Sequence, residues 1–395
     1  MKQIFFTLTL MASVLCCSAQ GQVNFFEGTW EEAFAKAAEE DKHVFVDSYT
    51  DWCYWCKVMD KETFTDKAIA DYLNEEFVAI KVNMEKGFGT SVAMKFRVRA
   101  FPTLLFFNPQ GQILEKKPGF TKDKSKFLAH LQEIRADKRP QVFSFASQNF
   151  DLDYPEFVEG SFGVGGKRVR TKAETVDAWL DETEDLYSEV AWTALTQCPT
   201  GEKYKQHLLD NADKYIGLYG TQEFDGFVSQ MVYSKVSKAG KEGDKKMLDE
   251  AITLLTKHYT DEEDKAGMID NFEMSYMKAT KDWKGYTMKA DKLIREGTLE
   301  ENAGLANSVA WTLYEKCDDP KCLKMMEEWM NKVVELEPNY MFLDTYAALL
   351  YKNGDMPKAK KYAEQAIVVG KKDESDVKET ETLLQKIEES MEDGQ

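Results

Sequence analysis

Cys53 and Cys56, in the run Trp52-Cys53-Tyr54-Trp55-Cys56-Lys57, are the residues whose type and spacing point most directly to chemistry. Two readings of such a C-x-x-C pair compete. As half of a zinc site it needs a second pair or close histidines. The four histidines, His43, His130, His207 and His258, are scattered, and none stands at ligand spacing from the pair, so no metal and no cofactor is expected. The other reading is thiol–disulfide exchange. The pair follows the apolar run Val44-Phe45-Val46 and opens a helical segment. A cysteine at a helix N-terminus has its thiolate stabilised by the dipole and by free N–H groups. A second cysteine one turn deeper is placed to resolve a mixed disulfide.

The elements around this pair alternate strand and helix up to about residue 140. Thr29-Trp30-Glu31-Glu32 reads as a capping box, with Phe34, Ala37 and Ala38 on one helical face. Residues 44–46, 77–82 and 103–107 are short continuous apolar runs, as buried strands require. Residues 112–116 alternate, which predicts an outer antiparallel strand after the turn Asn108-Pro109-Gln110-Gly111. Residues 123–135 predict a closing helix with Phe127, Leu128, Leu131 and Ile134 inward. This is the pattern of an α/β domain built from βαβ units, expected over 20–138.

Residues 139–172 read as irregular, with Pro140, Pro155, Gly160, Gly163, Gly165 and Gly166. Phe143, Phe145, Phe150, Tyr154, Phe157 and Phe162 make the segment too aromatic for a free linker, so it is expected to pack at the domain junction. From 173 to 395 the pattern is helix, short turn, helix, which predicts a second, all-α domain.

Residues 1–19 carry Lys2, an apolar run from Ile4 to Leu15 and the small residues of Cys17-Ser18-Ala19. That is the pattern of a cleaved signal peptide. Leu15 stands where a lipoprotein signal wants a small residue before Cys16, so the anchored alternative is disfavoured. A periplasmic or secreted location is expected, with Cys53, Cys56, Cys198, Cys317 and Cys322 in the mature chain. No later stretch of about 20 apolar residues predicts a transmembrane segment. The net charge of −18 argues against a nucleic-acid or anionic-membrane surface, which would need a positive field.

Residues 24–138 resemble the thioredoxin family. The start Thr29-Trp30 with Ala33, and Cys53 and Cys56 followed by Lys57 and Met59, look like the periplasmic thioredoxin-like proteins of the disulfide-interchange group. Asp47, six residues before Cys53, matches that family's buried carboxylate, Lys81 its strand lysine, and Phe101-Pro102-Thr103 its cis-proline loop. The resemblance implies that Cys53 is the nucleophile and Cys56 the resolving thiol. It implies that Asp47 is a buried acid/base with a raised pKa, modulated by Lys81. Phe101 and Pro102 would pair with the extended backbone of a substrate. Trp52, Tyr54 and Trp55 would form an apolar contact rim around the sulfurs. Protein thiols and disulfides are the implied partners. The dipeptide Tyr54-Trp55 departs from the Gly-Pro of thioredoxin and from the Pro-His of strong oxidants. The Asp47 and Lys81 pair favours the reducing half of the family's range.

In the helical part, Val190-Ala191-Trp192-Thr193 recurs as Val309-Ala310-Trp311-Thr312, each with a cysteine six residues past its tryptophan, Cys198 and Cys317. Ala347, Gly354, Ala359, Ala363 and Ala366, after the stop Leu336-Glu337-Pro338-Asn339, resemble the tetratricopeptide repeat. That resemblance implies stacked helical hairpins that dock a protein partner. Cys317 and Cys322 are expected to form a small structural disulfide across an inter-helix turn. The competing reading of the whole chain is a peptide-binding scaffold or chaperone-like adaptor that has a thioredoxin fold. It does not explain why both sulfurs of the pair are kept.

Overall fold

The computed structural model describes residues 21–136 and 148–393. The expected signal peptide, and residues 139–147 of the expected linker with Phe143 and Phe145, lie outside the described residues. The chain divides into two compact units, one ending at Phe224 and the other starting at Asp225.

The first unit opens with α1 (Trp30–Glu40), whose capping box is formed: Thr29 accepts from the Glu32 N–H, and Glu32 accepts from the Thr29 N–H. Then come β1 (His43–Tyr49), α2 (Tyr54–Glu62), α3 (Lys67–Glu76), β2 (Phe77–Asn83) and α4 (Phe88–Lys95). The series closes with β3 (Thr103–Phe107), β4 (Ile113–Pro118) and α5 (Lys124–Ala136). The four strands form one sheet in the order β2-β1-β3-β4. β1 is parallel to β2 and antiparallel to β3, and β4 is the antiparallel outer strand that the alternation predicts. This is a thioredoxin-like α/β sheet with helices on both faces.

β1 is central and buried on both faces, which explains its continuous apolar run. Phe45, Leu104 and Phe106 pack on one face with Met59, Phe64, Leu73, Phe127, Leu131 and Ile134. On the other face Trp30 is the hub of an aromatic cluster with Phe34, Phe96 and Phe107. The expected linker contributes to this second layer. Phe150 sets its ring edge-on to Trp30 at 5.4 Å, and Gln148 accepts from the Trp30 indole at 2.7 Å.

The unit continues through α6 (Glu156–Phe162), α7 (Ala173–Asp181), α8 (Glu189–Gln197), α9 (Glu202–Asp210) and α10 (Ala212–Tyr219) into the first turn of α11 (Thr221–Glu242). Trp192 is fully buried and lies flat on Tyr219 at 4.8 Å. By contacts, this first unit runs to Phe224. Residues 156–224 pack with the sheet rather than with the later helices, and α6 is regular structure inside the expected irregular linker. Local periodicity is the same on both sides of residue 224, so only tertiary packing distinguishes them.

The second unit holds the rest of α11 with α12 (Lys245–His258), α13 (Glu262–Thr280), α14 (Trp283–Glu296), α15 (Leu299–Lys316), α16 (Pro320–Leu336), α17 (Tyr340–Lys352), α18 (Met356–Lys372) and α19 (Lys378–Asp393). Helices α12 to α18 all start at a side chain that accepts from the first turn, five of these caps being Asp244, Asp261, Asp282, Asp319 and Asp355. From α13 onward, consecutive helices pack on each other, and α15 also touches α17. Ala347, Ala359, Ala363 and Ala366 are fully buried there. Gly354 takes φ 85° in the turn between α17 and α18. Among the described residues no helix is long and apolar enough to cross a membrane.

The expected Cys317–Cys322 disulfide is not formed. Both are buried free thiols, as is Cys198. Cys317 is the C-cap of α15 and Cys322 lies in the first turn of α16. Each sulfur has its own polar neighbour: Cys317 Sγ accepts from the Asp319 N–H at 3.4 Å, and Cys322 Sγ points at the Trp283 carbonyl at 3.7 Å. Cys198 and Cys317 close their helices alike, each in extended conformation with its N–H on the carbonyl four residues back. The repeated Val-Ala-Trp-Thr motif thus repeats a helix ending, and no redox site.

Candidate redox site

Strand β1 delivers the chain to Thr50, whose carbonyl accepts from the Cys53 N–H at 3.1 Å. That turn makes Cys53 the N-cap of α2 in extended conformation. Cys53 and Cys56 are joined by a disulfide, with their Cα atoms 5.4 Å apart. Cys53 Sγ also accepts from the Cys56 N–H at 3.1 Å. A thiolate formed at Cys53 keeps this donor and the dipole of α2. Cys53 and Cys56 are both buried in the oxidised form.

Asp47 and Lys81 are brought together by strand register: they are directly opposed in the parallel β1–β2 pair. Lys81 Nζ lies 3.0 Å from Asp47 Oδ2. That is ion-pair distance, but the angle is poor, and neither Asp47 oxygen receives a well-formed hydrogen bond. Lys81 instead donates to Asp60, one turn beyond Cys56 on α2. Asp47 is fully enclosed, and burial pushes its carboxyl up to about 6, against the opposing pull of Lys81. Burial alone would lower the Lys81 ammonium, but Asp47 and Asp60 outweigh it and hold it above its ordinary value. The ammonium also faces the rings of Phe25 and Tyr49, each at 5.2 Å.

The aromatic side chains around the sulfurs face solvent. Trp52 is 63% exposed, Tyr54 68% and Trp55 45%, so none of them is core. The Trp52 indole donates to Glu85 at 2.8 Å and meets the edge of Phe101 at 5.8 Å. Trp55 stacks on Phe120 at 5.6 Å, with Lys122 Nζ 5.7 Å from its ring. The Phe101–Pro102 peptide bond is cis. The Pro102 carbonyl is taken by the Gly119 N–H at 2.8 Å, whereas among the described residues the N–H and C=O of Phe101 make no hydrogen bond. One face thus presents a buried disulfide, an aromatic rim and one unpaired stretch of backbone.

The structure brings Asp47 and Lys81 together, sets Trp52 against Phe101, and leaves Cys317 and Cys322 in the other unit. Asp60, Glu85 and Phe120 were not foreseen. Asp60 stands four residues after Cys56, a spacing that puts the two on one helix face. Glu85 and Phe120 meet the rim only through tertiary packing, and no local pattern marks them. Among the described residues no group of three or more His, Cys, Asp and Glu side chains is placed to hold a metal ion.

Residues 11–135 match the thioredoxin-like DsbH family, described as a protein of unknown function, DUF255. The thiol:disulfide interchange protein DsbD of Pseudoalteromonas atlantica is 34% identical over 109 residues, covering 27% of this chain and 18% of its own length. The DsbD of Tatumella citrea is 33% identical over 100 residues, covering 25% of this chain and 17% of its own length. The chain therefore spans less than a fifth of these curated relatives. A solution structure of a disulphide-isomerase candidate from Bacteroides thetaiotaomicron is 38% identical and covers 31% of this chain and 100% of its own, with a TM-score of 0.28. A Thermus thermophilus thioredoxin is 22% identical and covers 29% of this chain and 88% of its own, with a TM-score of 0.27. The N-terminal region of this chain is a thioredoxin-like domain similar to those of DsbD and DsbH, and it carries the Cys53–Cys56 pair.

Proposed function

We propose that the chain is an exported thiol–disulfide oxidoreductase that reduces or isomerises protein disulfides, with its second, tetratricopeptide-like unit docking a protein partner. The observation that carries this reading is the Cys53–Cys56 bond at the N-terminus of α2, ringed by exposed aromatics.

In the reducing direction, the Cys53 thiolate attacks one sulfur of a substrate disulfide. That S–S bond breaks, a mixed disulfide forms at Cys53, and the released substrate thiolate takes a proton. Cys56 gives up its proton to the Asp47 carboxylate and attacks Cys53 Sγ, which closes the Cys53–Cys56 bond and frees the second substrate thiolate. Two electrons pass from the chain's dithiol to the substrate, and an external dithiol must restore them. A carboxyl titrating at about 6 is mostly ionised at neutral pH yet basic enough to accept that proton. The free backbone of Phe101 offers an extended substrate one strand-like pairing, and Trp52 and Trp55 flank it.

The export step rests on the 1–19 pattern; N-terminal sequencing of the secreted protein tests it, with Gln20 as the expected first residue and an uncleaved Met1 overturning it. The acidic second unit suits a partner of basic or mixed charge, bound less tightly as salt rises. Insulin-reduction turbidity tests the redox reading. Activity lost in Cys53→Ser supports it, and wild type no faster than that variant favours the adaptor reading.

A further inference from the structure

Three basic residues at alternate positions, Lys95, Arg97 and Arg99, lead from the end of α4 into the Phe101–Pro102 loop. Each is held by the helical extension of the first unit. Lys95 Nζ, wholly buried, donates to Glu189 in the first turn of α8 at 2.7 Å. Arg97 Nε donates to Glu223 in the first turn of α11 at 2.6 Å, and its Nη1 ties back to the Lys95 carbonyl at 2.7 Å. Arg99 bridges two helices: Nη1 donates to the Gln197 carbonyl at the end of α8 at 2.9 Å, and Nη2 to the Ser161 carbonyl of α6 at 2.6 Å. Its guanidinium also lies 4.7 Å from the Phe162 ring centre.

The other side of the loop is tied to the same helices. Glu223 pairs with Lys116 on β4, and Gln222 donates to the Lys116 carbonyl at 2.8 Å. Strand β4 opposes β3 with Pro118 against Thr103, and Gly119 binds the Pro102 carbonyl. Arg97 takes φ 52°, a conformation a side-chain-bearing residue keeps only where its surroundings hold it. Glu223 is half-buried between two cations, and although burial pushes its carboxyl upward, Arg97 and Lys116 bring it down to about 2. It therefore stays charged at neutral pH.

We infer that Arg99, with Lys95 and Arg97, is a positioning residue through which helices α6, α8 and α11 set the Phe101–Pro102 edge for a polypeptide disulfide. The redox unit of this protein is then the sheet together with residues 156–224. Sulfur chemistry alone needs only Cys53, Cys56 and Asp47. Pairing with an extended chain needs the Phe101 backbone in register, so loosening the clamp penalises polypeptide substrates selectively. This inference rests on the proposed redox reading.

The test compares full-length wild type, Arg99→Met and Arg99→Lys, with kinetics on insulin and on hydroxyethyl disulfide, which is too small to use the strand edge. The ratio of kcat/KM for insulin to that for hydroxyethyl disulfide is expected to fall about 10-fold in Arg99→Met, through KM rather than kcat. Arg99→Lys is expected to lie between, because one ammonium cannot serve two carbonyls in the Arg fork geometry. Both substrates slowing in parallel with a drop in melting temperature, or an unchanged ratio, overturns the inference. If Arg99→Met does not fold, Arg99→Lys decides alone, and a wild-type ratio there overturns it. Wild type no faster than Cys53→Ser on both substrates is a different result: it removes the redox reading and this inference with it.

Discussion

At the residue scale the strongest physical signature is Asp47, a carboxylate enclosed beside the redox helix with a cation near but no well-formed hydrogen bond. Its carboxyl is raised to about 6 in the fold from an ordinary 3.8. Between those values the native state holds more proton than the unfolded chain, so this group makes stability fall as pH rises from about 4 to about 6, with no further change above. Asp47→Asn is therefore expected to raise stability at pH 7, by at most roughly 3 kcal/mol. Urea denaturation should show the gain vanishing below about pH 4. The same variant should slow insulin reduction at pH 7, because the proton acceptor for Cys56 is lost. A variant as fast as wild type removes Asp47 from the mechanism. The neighbouring prediction concerns the sulfurs. In the reduced protein, Cys53 at the helix N-cap should react with iodoacetamide before Cys56, and Cys56→Ala should accumulate mixed disulfides through Cys53. Peptide mapping with label mainly on Cys56 would reverse the two roles.

Elements explain why these residues meet. Strand β1 carries Asp47 and ends where the turn to Cys53 begins, β2 supplies Lys81 in register, and α2 supplies both Cys56 and Asp60. A one-residue slip between β1 and β2 would turn Lys81 to the opposite face, so the Asp47–Lys81 pair exists only in this register. In the second unit the deciding element is the α17–α18 hairpin, whose small residues let two helices approach. Ala363 is fully buried there. Ala363→Leu is expected to cost about 1–3 kcal/mol by overpacking. Thermal denaturation measures this, and an unchanged midpoint would mean that the hairpin tolerates separation. Insulin reduction by this variant at 25 °C should match wild type, because no group of the proposed chemistry lies in the hairpin.

For the whole molecule, the division at Phe224 matters more than the change from α/β to all-α near residue 140. A fragment of residues 20–224 is expected to fold and to reduce insulin at close to the full-length rate. A fragment ending at residue 139 lacks Phe150 from the Trp30 cluster and the Glu189 and Glu223 partners of Lys95 and Arg97. It should be less stable by roughly 3 kcal/mol or more, since burying even one large aromatic contributes about 1.5–3 kcal/mol. Equal denaturation midpoints for the two fragments would show that the helical extension is dispensable to the sheet. The acidic composition follows partly from architecture, because aspartates cap many helices of the second unit. Those charges are structural at the caps, and the remainder is what a basic partner would meet.

Much of this was legible in the linear chain because it is encoded locally. The capping box at Thr29, the double-sided apolar run of β1, the alternation of β4 and the Cys53–Cys56 spacing depend on neighbours within a few residues. Asp47, Lys81 and Pro102 were readable only through family resemblance, because their partners lie on other strands and loops. Tertiary structure alone decided the rest. Glu189 and Glu223 look in sequence like ordinary solvated charges in a first helical turn, and only packing against α4 and β4 makes them half-buried counter-ions. Residues 156–224 share their periodicity with the later helices, so membership of the redox unit could not be read from periodicity. Cys317 and Cys322 stand at a spacing that invites a bond, yet they remain buried free thiols at the end of one helix and the start of the next. Periodicity specifies which face of an element is apolar. Which distant surface covers that face is a property of the folded whole.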